Sequence, residues 1–248
     1  MAGNGDRVRL ASSALAVLLG LGLASCHTLK AVPEDAKSAG RALGFGRERP
    51  GTRQLMVMKP EQFAAAVNID GRQFTSNHNS GNVYLDQPLR TGKHYWEVRV
   101  LCGPISAGVT NDLQHPYTYG GYWEQPEHNA GIYTWFAHAW PGEGQGLRSA
   151  AWRQRASTLN RGITPSGAVF GLALDADNQT LRTFWEGEEG PTLKLVFPGP
   201  YYAFSGTQVG YPNPTGQPCP GGPSRGEFML AQREAKYPAP NGYRHLVK

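Results

Sequence analysis

Thr91-Gly92-Lys93-His94-Tyr95-Trp96-Glu97-Val98-Arg99-Val100 is the stretch whose side-chain pattern has the plainest structural meaning. Successive residues of an extended chain point to opposite faces. Trp96, Val98 and Val100 therefore share one face, while Tyr95, Glu97 and Arg99 share the other. The alternation predicts a half-buried β-strand that places a large aromatic ring in a core.

Short apolar runs separated by turn residues lie on either side of this strand. Leu55–Met58, Ala65–Ile69, Arg72–Thr75 and Gly81–Leu85 precede it, and Asp70-Gly71 between two of them is a hairpin dipeptide. Ser106–Val109, the nearly continuous apolar run Gly167–Leu174, Thr180–Phe184, Leu193–Phe197, Tyr201–Phe204 and Glu227–Leu230 follow it. Asp175-Ala-Asp-Asn178 supplies a turn between two of these. In Thr180–Phe184 the apolar residues Leu181 and Phe184 stand three apart, a slip in the two-residue period that predicts a bulge. Residues 112–150, with Pro116, Pro126 and Pro141, are the least regular stretch. No helical period runs through the region, and 32 Gly and 19 Pro in 248 residues favour many short strands over helices. The expected fold class is all-β, an antiparallel β-sandwich.

The chain begins differently. Arg7 and Arg9 precede an apolar run, Leu10–Leu23, which closes on Leu23-Ala24-Ser25-Cys26 and gives way to polar residues from His27. A basic start, a short apolar stretch and small residues at its end make a secretory signal. A membrane-spanning helix needs about 20 apolar residues, and Gly20 and Gly22 interrupt this shorter run. The Leu-Ala-Ser-Cys ending resembles the lipobox of bacterial lipoproteins, which implies lipid modification of Cys26 and anchoring in a membrane of the cell envelope. His27 stands where an aspartate would retain such a protein at the inner membrane, so the resemblance favours the outer membrane. Residues 1–25 are read as the signal peptide and 26–52 as a flexible linker, with one short helix around Pro33–Ala42.

The formal net charge is +5 and falls to +4 without residues 1–25. The basic residues are scattered, which argues against a nucleic-acid partner. With Cys26 lipidated, Cys102 and Cys219 are the remaining thiols. An exported protein permits their pairing, but nothing in the sequence fixes their separation, and paired and free forms both stay open.

Gly92-Lys-His-Tyr-Trp-Glu-Val98 resembles the Gly-Lys-His-Tyr-Trp-Glu-Val strand of the SPRY domain family. Further pieces match in the family's order: Ala107–Val109, Phe170–Asp175, Thr180–Phe184, Gly199–Phe204 and the closing Tyr237–Leu246. The likeness spans residues 53–246. It implies a bent antiparallel sandwich of the concanavalin-like jelly-roll kind, which binds a protein or peptide through loops at one end and performs no catalysis. The insertion Tyr211–Pro223 and the stretch 112–150 depart from the family pattern.

Tests for chemistry return little. The histidines show neither His-Glu-x-x-His spacing nor a Cys-x-x-Cys partner. The Gly-x-Ser-x-Gly elbow is absent, and Gly142–Gly146 lacks the strand-to-helix setting of a phosphate loop. Asp175 and Asp177 lack the further ligands of a calcium loop. No cofactor is expected. Glu186, Glu188 and Glu189 are the one dense acidic cluster, and Gly187 and Gly190 beside them favour a solvated turn over a glycosidase carboxylate pair. The stretch Tyr117–Trp140 concentrates aromatic residues among Gly and Pro. Several belong to the core, but Tyr119, Tyr122, Trp123 and Trp140 lie nearest the turn residues and are the candidate ligand contacts. The alternative to a peptide-binding module is a glycan-binding or glycan-degrading protein on a related sandwich.

Overall fold

The computed structural model of the protein describes residues 53–58, 67–76, 82–113, 127–134, 138–140, 165–207, 219 and 224–248. Among them only strands occur as regular elements: β1 Leu55–Val57, β2 Val67–Asp70, β3 Gln73–Ser76, β4 Asn82–Leu85, β5 Lys93–Cys102, β6 Ile105–Thr110, β7 Asn129–Tyr133, β8 His138–Trp140, β9 Val169–Asp175, β10 Thr180–Trp185, β11 Glu188–Lys194, β12 Tyr202–Thr207, β13 Ser224–Met229 and β14 Arg244–His245. One sheet runs β1-β4-β12-β6-β7-β8, and the other runs β11-β10-β9-β5-β13-β3-β2 with β14 added beside β5. Every named pair of strands is antiparallel except β14 with β5. The fold is an all-β antiparallel sandwich.

The core between the sheets follows the two-residue period. Val83 and Leu85, Ile105, Ala107 and Val109, and Ala130 and Ile132 come from the first sheet. Trp96, Val98 and Val100, Phe170, Leu172 and Leu174, Leu181, Trp185 and Phe228 come from the second. Trp96 is 0% exposed.

One sequence reading needs correction here, and a second, the bulge expected at Thr180–Phe184, is present in the pairing with β11 but carried by the partner strand. The first is that β5 is half-buried. Tyr95 is 2% and Glu97 0% exposed, so both faces of the strand are covered. The cover is the C-terminal segment, whose Ala239 and Tyr243 pack on a second cluster of Tyr95, Ala173 and Phe184. The second concerns β10, which keeps unbroken register with β9 from Thr180↔Asp175 to Trp185↔Phe170. Leu181 and Trp185 face the main core and Phe184 faces the second cluster, so the three-residue spacing is two faces of one regular strand. The irregularity lies in the partner: pairing jumps from Arg182↔Thr192 to Phe184↔Glu189, which puts the extra residue on β11 at Gly190-Pro191. Proline donates no ladder bond and is tolerated at such an edge. The Thr183 hydroxyl takes advantage of the opening and donates to the Pro191 carbonyl at 2.6 Å.

The structure joins Cys102, at the end of β5, to Cys219, five positions before β13, with Cα atoms 5.6 Å apart and 117 residues between them in sequence. Residue 102 is in register with Arg225, so the bond fastens the approach to β13 beside the strand it pairs with.

Candidate functional site

Antiparallel pairing fixes which loops meet. β6 ends at Thr110 opposite Asn129, the first residue of β7, and Tyr202 at the start of β12 is also opposite Thr110. β4 ends at the same level, because Tyr84 lies opposite Phe204, and β8 leaves this way after Trp140, opposite Gly131. The β6–β7 connection, the chain after β8, and the segments before β12 and after β4 therefore all depart from one end of the first sheet.

The stem of the β6–β7 connection is heavily braced. The Asn111 N–H donates to the His128 carbonyl at 3.1 Å. The buried Thr110 hydroxyl lies 3.0 Å from that carbonyl and accepts the Asp112 N–H at 3.0 Å. The Asn111 side-chain amide donates to the Pro198 carbonyl at 3.1 Å and so ties the stem to the segment before β12. That segment is held in turn by Leu89 and Tyr201, which exchange backbone bonds of 2.6 and 3.1 Å, and by the Tyr201 hydroxyl donating to Phe197 at 3.0 Å. Leu195 and Phe197 are buried, so Val196 between them points outward and is 66% exposed.

The outward face of the first sheet adds an aromatic strip. Tyr84 and Tyr202 meet edge to face at 5.8 Å between ring centroids, and Met56, in register with Tyr84, is 43% exposed. Met56 and Val196 are the large apolar side chains most open to solvent among the described residues. Beside the strip, Gly108 and Gly131 face each other so closely that a Cβ on either would lie 2.1 Å from a backbone oxygen. No larger residue fits, and both glycines are buried. An exposed apolar residue and an aromatic pair beside a braced stem can bind a ligand by contact area.

Sequence reasoning did not find Val196, Met56, Tyr84 or Tyr202. Met56, Tyr84 and Tyr202 stand on short strands and Val196 lies beyond the end of β11, and exposure of a single residue there is a matter of which face meets the other sheet. Of the residues it did select, Tyr119, Tyr122 and Trp123 lie outside the described residues, as does Cys26. Trp140 is placed through its backbone, as the last residue of β8. The signal peptide 1–25, the linker 26–52 and the helix at Pro33–Ala42 also lie outside.

The acidic cluster is not an open dyad. Glu186 and Gly187 both have positive φ, 52° and 77°, and form the tight turn between β10 and β11. Glu189 takes a bidentate pair from Arg182 at 2.8 Å to each oxygen. Glu186 accepts the Val169 N–H at 2.6 Å, the Tyr237 hydroxyl at 2.6 Å and the Lys236 ammonium. Burial alone would push its carboxyl up, but these donors outweigh it and hold the group below the ordinary range. The buried Glu97 accepts the Lys236 and Tyr237 N–H groups at 2.7 and 2.9 Å and the Tyr95 hydroxyl at 2.8 Å. Here burial prevails over the donors and pushes the carboxyl up. Glu97 and Glu186 thus clasp Lys236-Tyr237 from two sides, and both oxygens of each are engaged. Asp175 accepts the backbone and side-chain N–H groups of Asn178 at 3.0 and 2.9 Å and faces Lys93 at 3.2 Å, and Asp177 accepts the Gly92 N–H at 3.0 Å. These are turn and strand-end contacts. No cluster of three His, Cys, Asp or Glu side chains able to hold a metal ion occurs among the described residues.

No family model and no curated protein sequence matches the chain. Among solved structures, it is similar to the SPRY domain of human HERC1, at 11% identity and a TM-score of 0.49 over 67% of this chain and 94% of that one. It is similar to the TRIM65 PSpry domain at 18% identity and a TM-score of 0.45, over 71% and 91% of the two chains. Stonustoxin is a third, at 14% identity and 0.45, with 71% of this chain covering 26% of that one. The assignment of the fold rests on this chain's own strand pairing.

Proposed function

We propose that the protein is a binding module for a protein or peptide, with its contact surface at the loop end of the first sheet. The observation that supports this is topological. The aromatic stretch selected from the sequence joins β6 to β7 and carries Trp140, and the chain enters and leaves it at the same end as exposed Val196 and the Tyr84–Tyr202 strip. Binding energy concentrates in a few aromatic or Arg side chains, each costing about 2 kcal/mol or more when truncated. The test is affinity and thermal stability measured together on the full chain, with peptides selected on it from a displayed library. Trp123→Ala, Tyr119→Ala and Val196→Glu should each weaken binding about 30-fold, which is what 2 kcal/mol amounts to, while moving the melting temperature by no more than about 2 °C. Unchanged affinity in all three stable variants refutes this surface. Selection of glycans but no peptide refutes the ligand class.

The same proposal holds the module at the cell envelope, on the outer membrane, through lipid on Cys26. Its support is the Leu-Ala-Ser-Cys sequence after a short apolar run. Two or more acyl chains give the stable anchoring that one cannot. Cys26→Ser should abolish membrane fractionation or leave the precursor uncleaved. A variant that is processed normally and still sediments with membranes rules the anchor out.

A further inference from the structure

The C-terminal segment holds a group that its clasp does not explain. β14 is two residues long and pairs parallel with His94 and Tyr95, beyond the point where β13 leaves β5 at Met229↔Glu97. Both ring nitrogens of His245 are buried, and neither has a hydrogen-bond partner among the described residues. A buried polar group left unpaired is costly, and an imidazolium in that position is costlier still.

Among the described residues the surroundings offer the charged ring no hydrogen-bond acceptor. From β5, Tyr95 meets it edge to face at 5.3 Å, and the Tyr95 hydroxyl is already donated to Glu97. His94, opposite Arg244, has Nε2 2.7 Å from the Thr91 carbonyl. On the segment itself Arg244 precedes the ring, and Arg53 reaches the Leu246 carbonyl at 3.3 Å, so the nearest chain positions bring cations. Burial accordingly holds His245 below the ordinary histidine range.

We propose that His245 is a proton-operated release for the C-terminal segment: uptake of one proton by its imidazole undocks residues 243–248 from β5 and uncovers the Tyr95–Ala173–Phe184 face. The segment has a natural hinge. Residues 234–237 stay fastened, because Glu234 pairs with Arg72 and Lys236-Tyr237 sit in the Glu97–Glu186 clasp. Pro238, Pro240 and Gly242, the last with φ 83°, separate that fastening from β14. The sign follows from linkage. The folded chain favours the neutral ring, so docking is fully stable above the unfolded histidine value of about 6.5 and weakens as pH falls below it.

Amide hydrogen exchange on the full chain, read by mass spectrometry at pH 7.5 and 5.5 and corrected for intrinsic rates, tests this. Protection in 243–248, including the Val247 N–H bonded to the Leu230 carbonyl, should fall by up to about tenfold, the most that a histidine of unfolded pKa about 6.5 can impose one pH unit below that value. Protection of β9 should not change. His245→Gln should abolish the pH dependence. Equal protection of the segment at both pH values in the parent overturns the proposal. So does a His245→Gln variant that keeps the pH dependence, since another group then titrates; Glu97, whose carboxyl burial pushes up, would strengthen docking as pH falls rather than weaken it. Should that variant fail to fold, the parent's own His245 ring signal decides by NMR titration: a midpoint at or above about 6.5 overturns the release, and a lower one supports it.

Discussion

Trp96→Ala lowers the unfolding free energy by about 3–5 kcal/mol, the cost of removing a large aromatic ring from a packed core, and so threatens most of what a domain of this size has to lose. Trp96 is 0% exposed and sits at the middle of the second sheet, opposite Leu172 on β9 and two residues before Val98 in the same core. Its neighbours are held by two sheets, so the space left behind does not collapse. Trp96→Phe separates the two contributions of the indole. The Nε1 group is buried with no hydrogen-bond partner among the described residues, so phenylalanine keeps most of the apolar volume and removes an unsatisfied donor. Chemical denaturation followed by circular dichroism should rank the parent near Trp96→Phe and both far above Trp96→Ala. A Trp96→Ala midpoint equal to the parent's means that the ring does not carry the core.

Loss of the Cys102–Cys219 bond comes second. Its two cysteines are 117 residues apart, and in the chain-entropy account a closed loop of that order restricts the unfolded chain by about 4–5 kcal/mol, while removing a native bond costs about 2–5. The double variant Cys102→Ser, Cys219→Ser should therefore lose about 4 kcal/mol without exposing a lone thiol. Treating the parent with reductant should bring it down to the same midpoint. If reduction leaves the parent's midpoint in place, the bond contributes nothing to stability.

Where side-chain alternation was strong, the sequence could be read closely. β5 was located from its alternation and β9 from its nearly continuous apolar run, each to within a residue or two, because a strand covered on one or both faces writes its burial directly into its residues. The N-terminal part of β11 was missed since Gly190 and Pro191 interrupt it, and these residues are admissible only because β11 is the edge of its sheet. β14 was missed for a different reason: its two residues are extended by contact with β5, and no period is detectable over that length. The burial of Tyr95 and Glu97 depends on a segment about 140 positions away in sequence, as the Glu97 bonds to Lys236 and Tyr237 show. Local pattern carries no trace of such a contact. The site divides in the same way. Aromatic density pointed to the connection after β6, whereas exposure of Val196 and the Tyr84–Tyr202 contact arise only when the sheets are assembled.

Arg53 also determines how this domain bears a pull. Its guanidinium donates to the Gln87 carbonyl at 3.0 Å and to the Leu246 carbonyl at 3.3 Å, next to the bonds by which Gln54 and Asp86 hold each other at 3.0 Å. β1, which follows, is a three-residue strand at the edge of its sheet. Tension applied through the preceding chain would peel such a strand one bond at a time if it met β1 alone. With Arg53 in place it arrives at three anchor points together, one of them on the segment that lines the opposite sheet. A pull on that chain would therefore be shared between the two layers before the edge could open.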